Sequence, residues 1–83
     1  MDWNEIEWFL RNDEELDHTP VVVDSLKTSL IGLMGCKLFG DKNEVFYDNT
    51  KQTFHDNIEQ LIDIHPYKAR ILKSIQIFVN EKL

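Results

Sequence analysis

The fold turns on residues 19–40, TPVVVDSLKTSLIGLMGCKLFG. The stretch opens with three consecutive valines, which favour a strand, and later holds all three glycines and the only cysteine of the chain. Two features select a helix instead. Thr19-Pro20 is a helix start, because threonine can accept an amide hydrogen bond as N-cap and proline at the first helical position gives up no bond. Val22, Val23, Leu26, Leu30, Leu33 and Met34 then recur at three- and four-residue steps on one face. Ser25, Thr28, Gly32 and Gly35 share another side, where small residues admit a second backbone, from this chain or from a second copy. An interior glycine costs about 1 kcal/mol against alanine, so close packing is the compensation expected there. The helix is expected to end near Cys36, with Gly40 starting a turn or supplying a positive φ.

The same glycines invite a phosphate-loop reading, which the spacing excludes. A P-loop places lysine directly after its second glycine and a hydroxyl after the lysine. Here Cys36 precedes Lys37 and Leu38 takes the hydroxyl position, and G-x-G-x-x-G is also absent. Asp24 and Lys27 interrupt the apolar run, so no membrane span is expected.

Working outward, Asp2 followed by Glu5 reads as a helix N-terminus. Trp3, Ile6, Phe9 and Leu10 fall on one side of a first helix from about Trp3 to Asn12, with NDEELDH as its polar exit or a further acidic turn. Beyond the glycines, Leu38-Phe39 and Val45-Phe46-Tyr47 flank GDKN, so residues 37–48 read as a short β-hairpin, with a loop as the alternative. A third helix is expected to be capped by Asn49, Thr50 or Thr53, with Phe54, Ile58, Leu61 and Ile62 as its apolar face and His65 as a boundary residue or N-cap. Pro66 ends it and opens a fourth, with Tyr67, Ile71, Leu72, Ile75, Phe78 and Val79 buried. The expected fold class is mainly α: a compact bundle of about four helices, one domain over residues 1–83, with the hairpin between helices 2 and 3.

The 83 residues carry a net charge of −6. Residues 1–24 hold eight acids against Arg11, a net of −7, while residues 66–83 carry +3. The acidic segment repels phosphate backbones, so direct nucleic-acid binding is not expected. It attracts a basic protein partner. The expected attraction between the two ends can act within one chain or between two. A lone cysteine and an acidic N-terminus without an apolar run point to the cytoplasm.

No catalytic, cofactor or metal site is expected. His55, Glu59 and Asp63 stand one turn apart, yet no second histidine lies at i+4 and His18, His65 and Cys36 are scattered. Cys36 sits in no local nucleophile signature and reads as a small core hydrophobe. The carboxylates of residues 13–17 have no apolar wall to raise a pKa for acid–base chemistry.

The candidate partner-binding residues are Glu5, Glu7, Trp8, Asp13, Glu14, Glu15 and Asp17. Trp8 lies off the Trp3–Ile6–Leu10 stripe, so it is either an exposed anchor or covers a second contact. Ile64 and Ile77 are also out of phase. The leading expectation is a non-catalytic acidic module that regulates or inhibits a basic partner, in its sharper form by mimicking nucleic acid. By size and charge alone it is comparable to phage-encoded inhibitors and bacterial immunity proteins. A structural homodimer and a helix-turn-helix DNA binder, with helix 4 as recognition helix, are the alternatives.

Overall fold

The computed structural model describes residues 1–40 and 44–83. Four α-helices follow in order: α1 (Trp3–Asn12), α2 (Pro20–Phe39), α3 (Glu44–Ile64) and α4 (Ala69–Lys82). Short 3-10 turns at Leu16–His18 and Pro66–Lys68 join α1 to α2 and α3 to α4. No strand is present among the described residues. The Cα radius of gyration is 12.4 Å, close to the roughly 12 Å of a well-packed chain of this length.

Each boundary has a local cause. Asp2 Oδ1 accepts the Glu5 amide at 2.9 Å and starts α1. Pro20 opens α2, and Gly40 closes it at φ 60°, the left-handed conformation that suits glycine. Pro66 stops α3 because it disfavours helical geometry in the residue before it.

Four details depart from the sequence reading. The expected hairpin is replaced by helix on both sides. Leu38-Phe39 continue α2 to Gly40, and Val45-Phe46-Tyr47 lie in the first turns of α3. The residues 41–43 of the expected turn lie outside the described residues. Tertiary contacts override strand propensity here. The Phe46 ring lies over Gly32, and the Tyr47 hydroxyl donates to the Leu83 carbonyl. The cap expected at Asn49, Thr50 or Thr53 is therefore mid-helix, and Thr53 instead donates to the Asn49 carbonyl one turn back. Thr19 does not cap α2 with its side chain. Its hydroxyl donates to the Leu16 carbonyl at 3.2 Å and lies 3.0 Å from His65 Nε2. Tyr67 is exposed rather than buried, because Pro66–Lys68 form a 3-10 turn and α4 begins only at Ala69.

The core runs through the centre of α3. Phe54, Ile58 and Leu61 are fully buried, with Leu26 and Leu33 of α2 and Leu72, Ile75 and Val79 of α4. Ile6, Phe9 and Leu10 close it from α1, and Leu16, hidden in the polar stretch, plugs the end beside α2. The most extensive packing between helices is that of α2 against α3. There a Cβ on Gly32 would stand 3.1 Å from Thr50 Cγ2, and Asn57 donates to Ser25 Oγ at 2.8 Å. Half of the small-residue side of α2 thus receives a helix of the same chain. Gly35, one turn further, faces open space.

Candidate functional site

The candidate residues all come from α1 and the turn that follows it. On α1 the buried stripe of Ile6, Phe9 and Leu10 points inward, which turns Trp8 outward. Trp8 is 67% exposed. Trp3 contrasts with it: its ring meets Phe78 edge-on at a centroid distance of 4.8 Å and packs against the core. Glu5, one turn before Trp8 on the same side, is exposed. Glu7 is exposed and pairs with Arg11 at 2.6 Å, which offsets part of its charge. Glu14, Glu15 and Asp17 are exposed and carry no side-chain ion pair among the described contacts.

Asp13 stands apart from the other acids. Its Oδ1 accepts the amides of Glu15 at 3.0 Å and Leu16 at 3.3 Å, which builds the turn into the 3-10 helix. Its Oδ2 lies 2.9 Å from Lys68 Nζ, with 27% of the Lys68 side chain and 11% of the Asp13 side chain exposed. Burial pushes the Asp13 carboxyl up. The Lys68 hydrogen bond, the Leu16 and Glu15 amides and the lysine's charge outweigh burial and leave it below its ordinary value. The hydrogen bond to Asp13 holds Lys68 above the usual lysine range. This contact ties the acidic end to the basic end within one chain. It removes Asp13 from the free acidic surface, leaving Glu5, Glu7, Trp8, Glu14, Glu15 and Asp17.

A groove of about 440 Å³ lies between α1 and α2. Its lining combines the apolar Trp3, Leu10, Leu30 and Met34 with the charged Glu7, Arg11 and Lys27. Sequence reasoning missed this groove, because it forms between two helices whose relative placement only the assembled core sets. It also missed the exposure of Ile31, Leu38 and Phe39 on the outward side of α2. The position of Ile31 outside the buried stripe was the available signal.

Two histidines are engaged within the fold. His55 Nδ1 lies 2.9 Å from Gln76 Nε2 of α4. His65 is buried against Thr19. The Thr19 hydroxyl has one proton, so both of its bonds form when it donates to Leu16 and accepts from His65 Nε2–H. Cys36 is a buried free thiol. Among the described residues no three His, Cys, Asp or Glu side chains gather as metal ligands, and no helix is long and apolar enough to cross a membrane. The chain matches no protein-family model, no curated protein and no solved structure.

Proposed function

We propose that this protein is a non-catalytic, acidic protein-binding module, and that the outward side of α1 and the turn after it meet a basic surface on the partner. Trp8 carries the reading. A tryptophan left 67% exposed beside a run of carboxylates offers a large apolar anchor surrounded by charge. That combination suits a contact in which one aromatic residue supplies much of the affinity and the charges steer the approach. In its sharper form the carboxylates stand in for phosphates and occlude a nucleic-acid-binding cleft, which makes the module an inhibitor.

The test begins with affinity capture by the full chain from its native host, followed by measured binding of the purified partner. Trp8→Ala is expected to weaken binding by about thirtyfold, the mark of a hot-spot residue. Glu14→Lys, Glu15→Lys and Asp17→Lys together are expected to slow association and flatten its salt dependence. Affinity that survives both changes, or a partner that contacts the chain through an acidic or uncharged surface, sinks the reading.

A further inference from the structure

The outward face of α2 changes character halfway along. Asp24 and Thr28 occupy it first, and both are exposed. Ile31, Gly35, Leu38 and Phe39 follow at i, i+4, i+7 and i+8, which is one helical face. Ile31 is 70% exposed, Leu38 77% and Phe39 86%. Val45, also 70% exposed, begins α3 at the same end of the molecule. Exposed apolar residues scattered singly are normal. Val21, Tyr67 and Ile77 are of that kind, whereas these four gather at one end.

We propose that this face is a homodimer interface, in which two copies pack the last turns of α2 together, antiparallel, across a two-fold axis near Gly35. Three observations choose a second copy as the occupant. The first is area. At these exposures the four residues leave on the order of 500 Å² of surface per copy. Two copies together reach the roughly 1,000 Å² that a specific interface needs when the patch is covered completely. The second is shape. A Cβ at Gly35 would meet nothing within 4 Å, so the helix backbone is open to a close approach at this position, on the same face as the exposed Ile31, Leu38 and Phe39. With the axis at Gly35 the two glycines face each other, so the two backbones can approach closely there, as a two-fold contact between identical surfaces permits. Ile31 and Phe39 each lie four residues from Gly35, so the axis sets Phe39 of one copy opposite Ile31 of the other. Ile31 also lines the α1–α2 groove, which extends the apolar surface available to that ring.

The third is charge. Residues 28–36 hold no charged side chain, so a charged partner finds nothing to pair with at the centre of the patch. The acids of residues 13–17 precede the start of this helix at Pro20, about 22 Å from Gly35 at 1.5 Å per residue. An antiparallel pair therefore puts the two acidic turns at opposite ends, well beyond the roughly 8 Å screening length at physiological salt.

Light scattering of the full chain tests the proposal. The wild type is expected at twice the 9.9 kDa chain mass at micromolar concentration and above, in low and high salt alike. Leu38→Lys with Phe39→Lys should raise the dissociation constant by at least about tenfold with helicity unchanged, since both side chains are exposed. Val21→Lys, exposed on the same helix outside the patch, should leave the mass unaltered. Gly35→Cys in a Cys36→Ser background should give a disulfide-linked dimer on mild oxidation, because the axis brings the two introduced thiols together. This crosslink decides the matter if the lysine variant loses helicity. A monomer at every concentration, a dimer untouched by a folded lysine variant, a mass that grows past the dimer, or a Gly35→Cys variant that does not crosslink overturns the proposal.

Discussion

At the scale of single residues, Asp13 shows how one carboxylate among several takes a different role. It has the same chemistry as Glu14, Glu15 and Asp17, yet it caps a turn through Oδ1 and pairs with Lys68 through Oδ2. The two functions separate by substitution. Asp13→Asn keeps an acceptor for the two amides and loses the ion pair, whereas Asp13→Ala loses both. The alanine variant is expected to be less stable than the asparagine variant by about 1 kcal/mol, the usual cost of an N-cap, or about 4–8 °C in Tm for a domain of this size. The difference between wild type and Asp13→Asn should depend on pH at both extremes. The Asp13 carboxyl lies below its ordinary value of 3.8 in the folded chain. Its contribution is present above that pH and fades as pH falls through the folded pKa. Lys68 is raised above 10.5, so its contribution is present below that pH and fades as pH rises through the folded pKa. Denaturant titrations of both proteins are therefore expected to differ by a constant amount through the neutral range and to converge at either extreme. A gap that persists unchanged in acid would mean that the ion pair does not contribute. Partner affinity should not change in Asp13→Asn, because this charge is already engaged.

At the scale of elements, α2 holds both what the sequence made legible and what it concealed. Its start, its buried face and the need for close packing at the small residues follow from local rules. The sequence could not say which glycine meets a neighbour. Gly32 and Gly35 both lie on the small-residue side, but α3 crosses only at Gly32. This distinction has a measurable consequence. Gly35→Ala, with open space at its Cβ, should stabilise the dilute protein by about 0.5–1 kcal/mol through backbone entropy and helix propensity. Gly32→Ala gains the same propensity but places a Cβ 3.1 Å from Thr50 Cγ2. It should fall below Gly35→Ala by roughly 1 kcal/mol, because α3 must give way. Equal stability of the two variants in urea unfolding would show that α3 does not press on Gly32. The end of α2 was illegible for a related reason. Leu38, Phe39, Val45 and Phe46 resemble two strands around a turn when only local composition is considered. Helical continuity up to Gly40, and the seat of Phe46 on Gly32, come from contacts separated in sequence. For the candidate site, the periodicity of α1 showed that Trp8 lies off the buried stripe. The withdrawal of Asp13 from the acidic set depends on Lys68, more than fifty residues away in sequence, and no local pattern signals it.

At the scale of the whole molecule, the acids of the turn are separable from the apolar patch, whereas Glu7 of α1 lines the same groove as Ile31. The acids of the turn between α1 and α2 sit at one end of a 20-residue helix and the apolar patch at the other. Sites this far apart with no shared partner act additively within a few tenths of a kcal/mol, and salt screens the charge of one before it reaches the other. The two surfaces should also respond oppositely to ionic strength. Attraction between the acids and a basic partner weakens as salt rises, whereas apolar burial between copies does not. Crossing the two sets of changes makes the argument quantitative. Glu14→Lys, Glu15→Lys and Asp17→Lys should remove the salt-sensitive part of partner binding and leave the mass by light scattering at that of the wild type. Leu38→Lys with Phe39→Lys should lower the mass and leave the affinity per chain for a monovalent partner unchanged within about twofold. For an immobilised or multivalent partner the same lysine variant should lose apparent affinity by tenfold or more, because two linked modules bind with an avidity that a single one lacks. Partner affinity per chain that drops in the lysine variant, or a dimer that dissociates when the acids are reversed, would show that the two faces form one continuous contact and that the division by charge along α2 is incorrect.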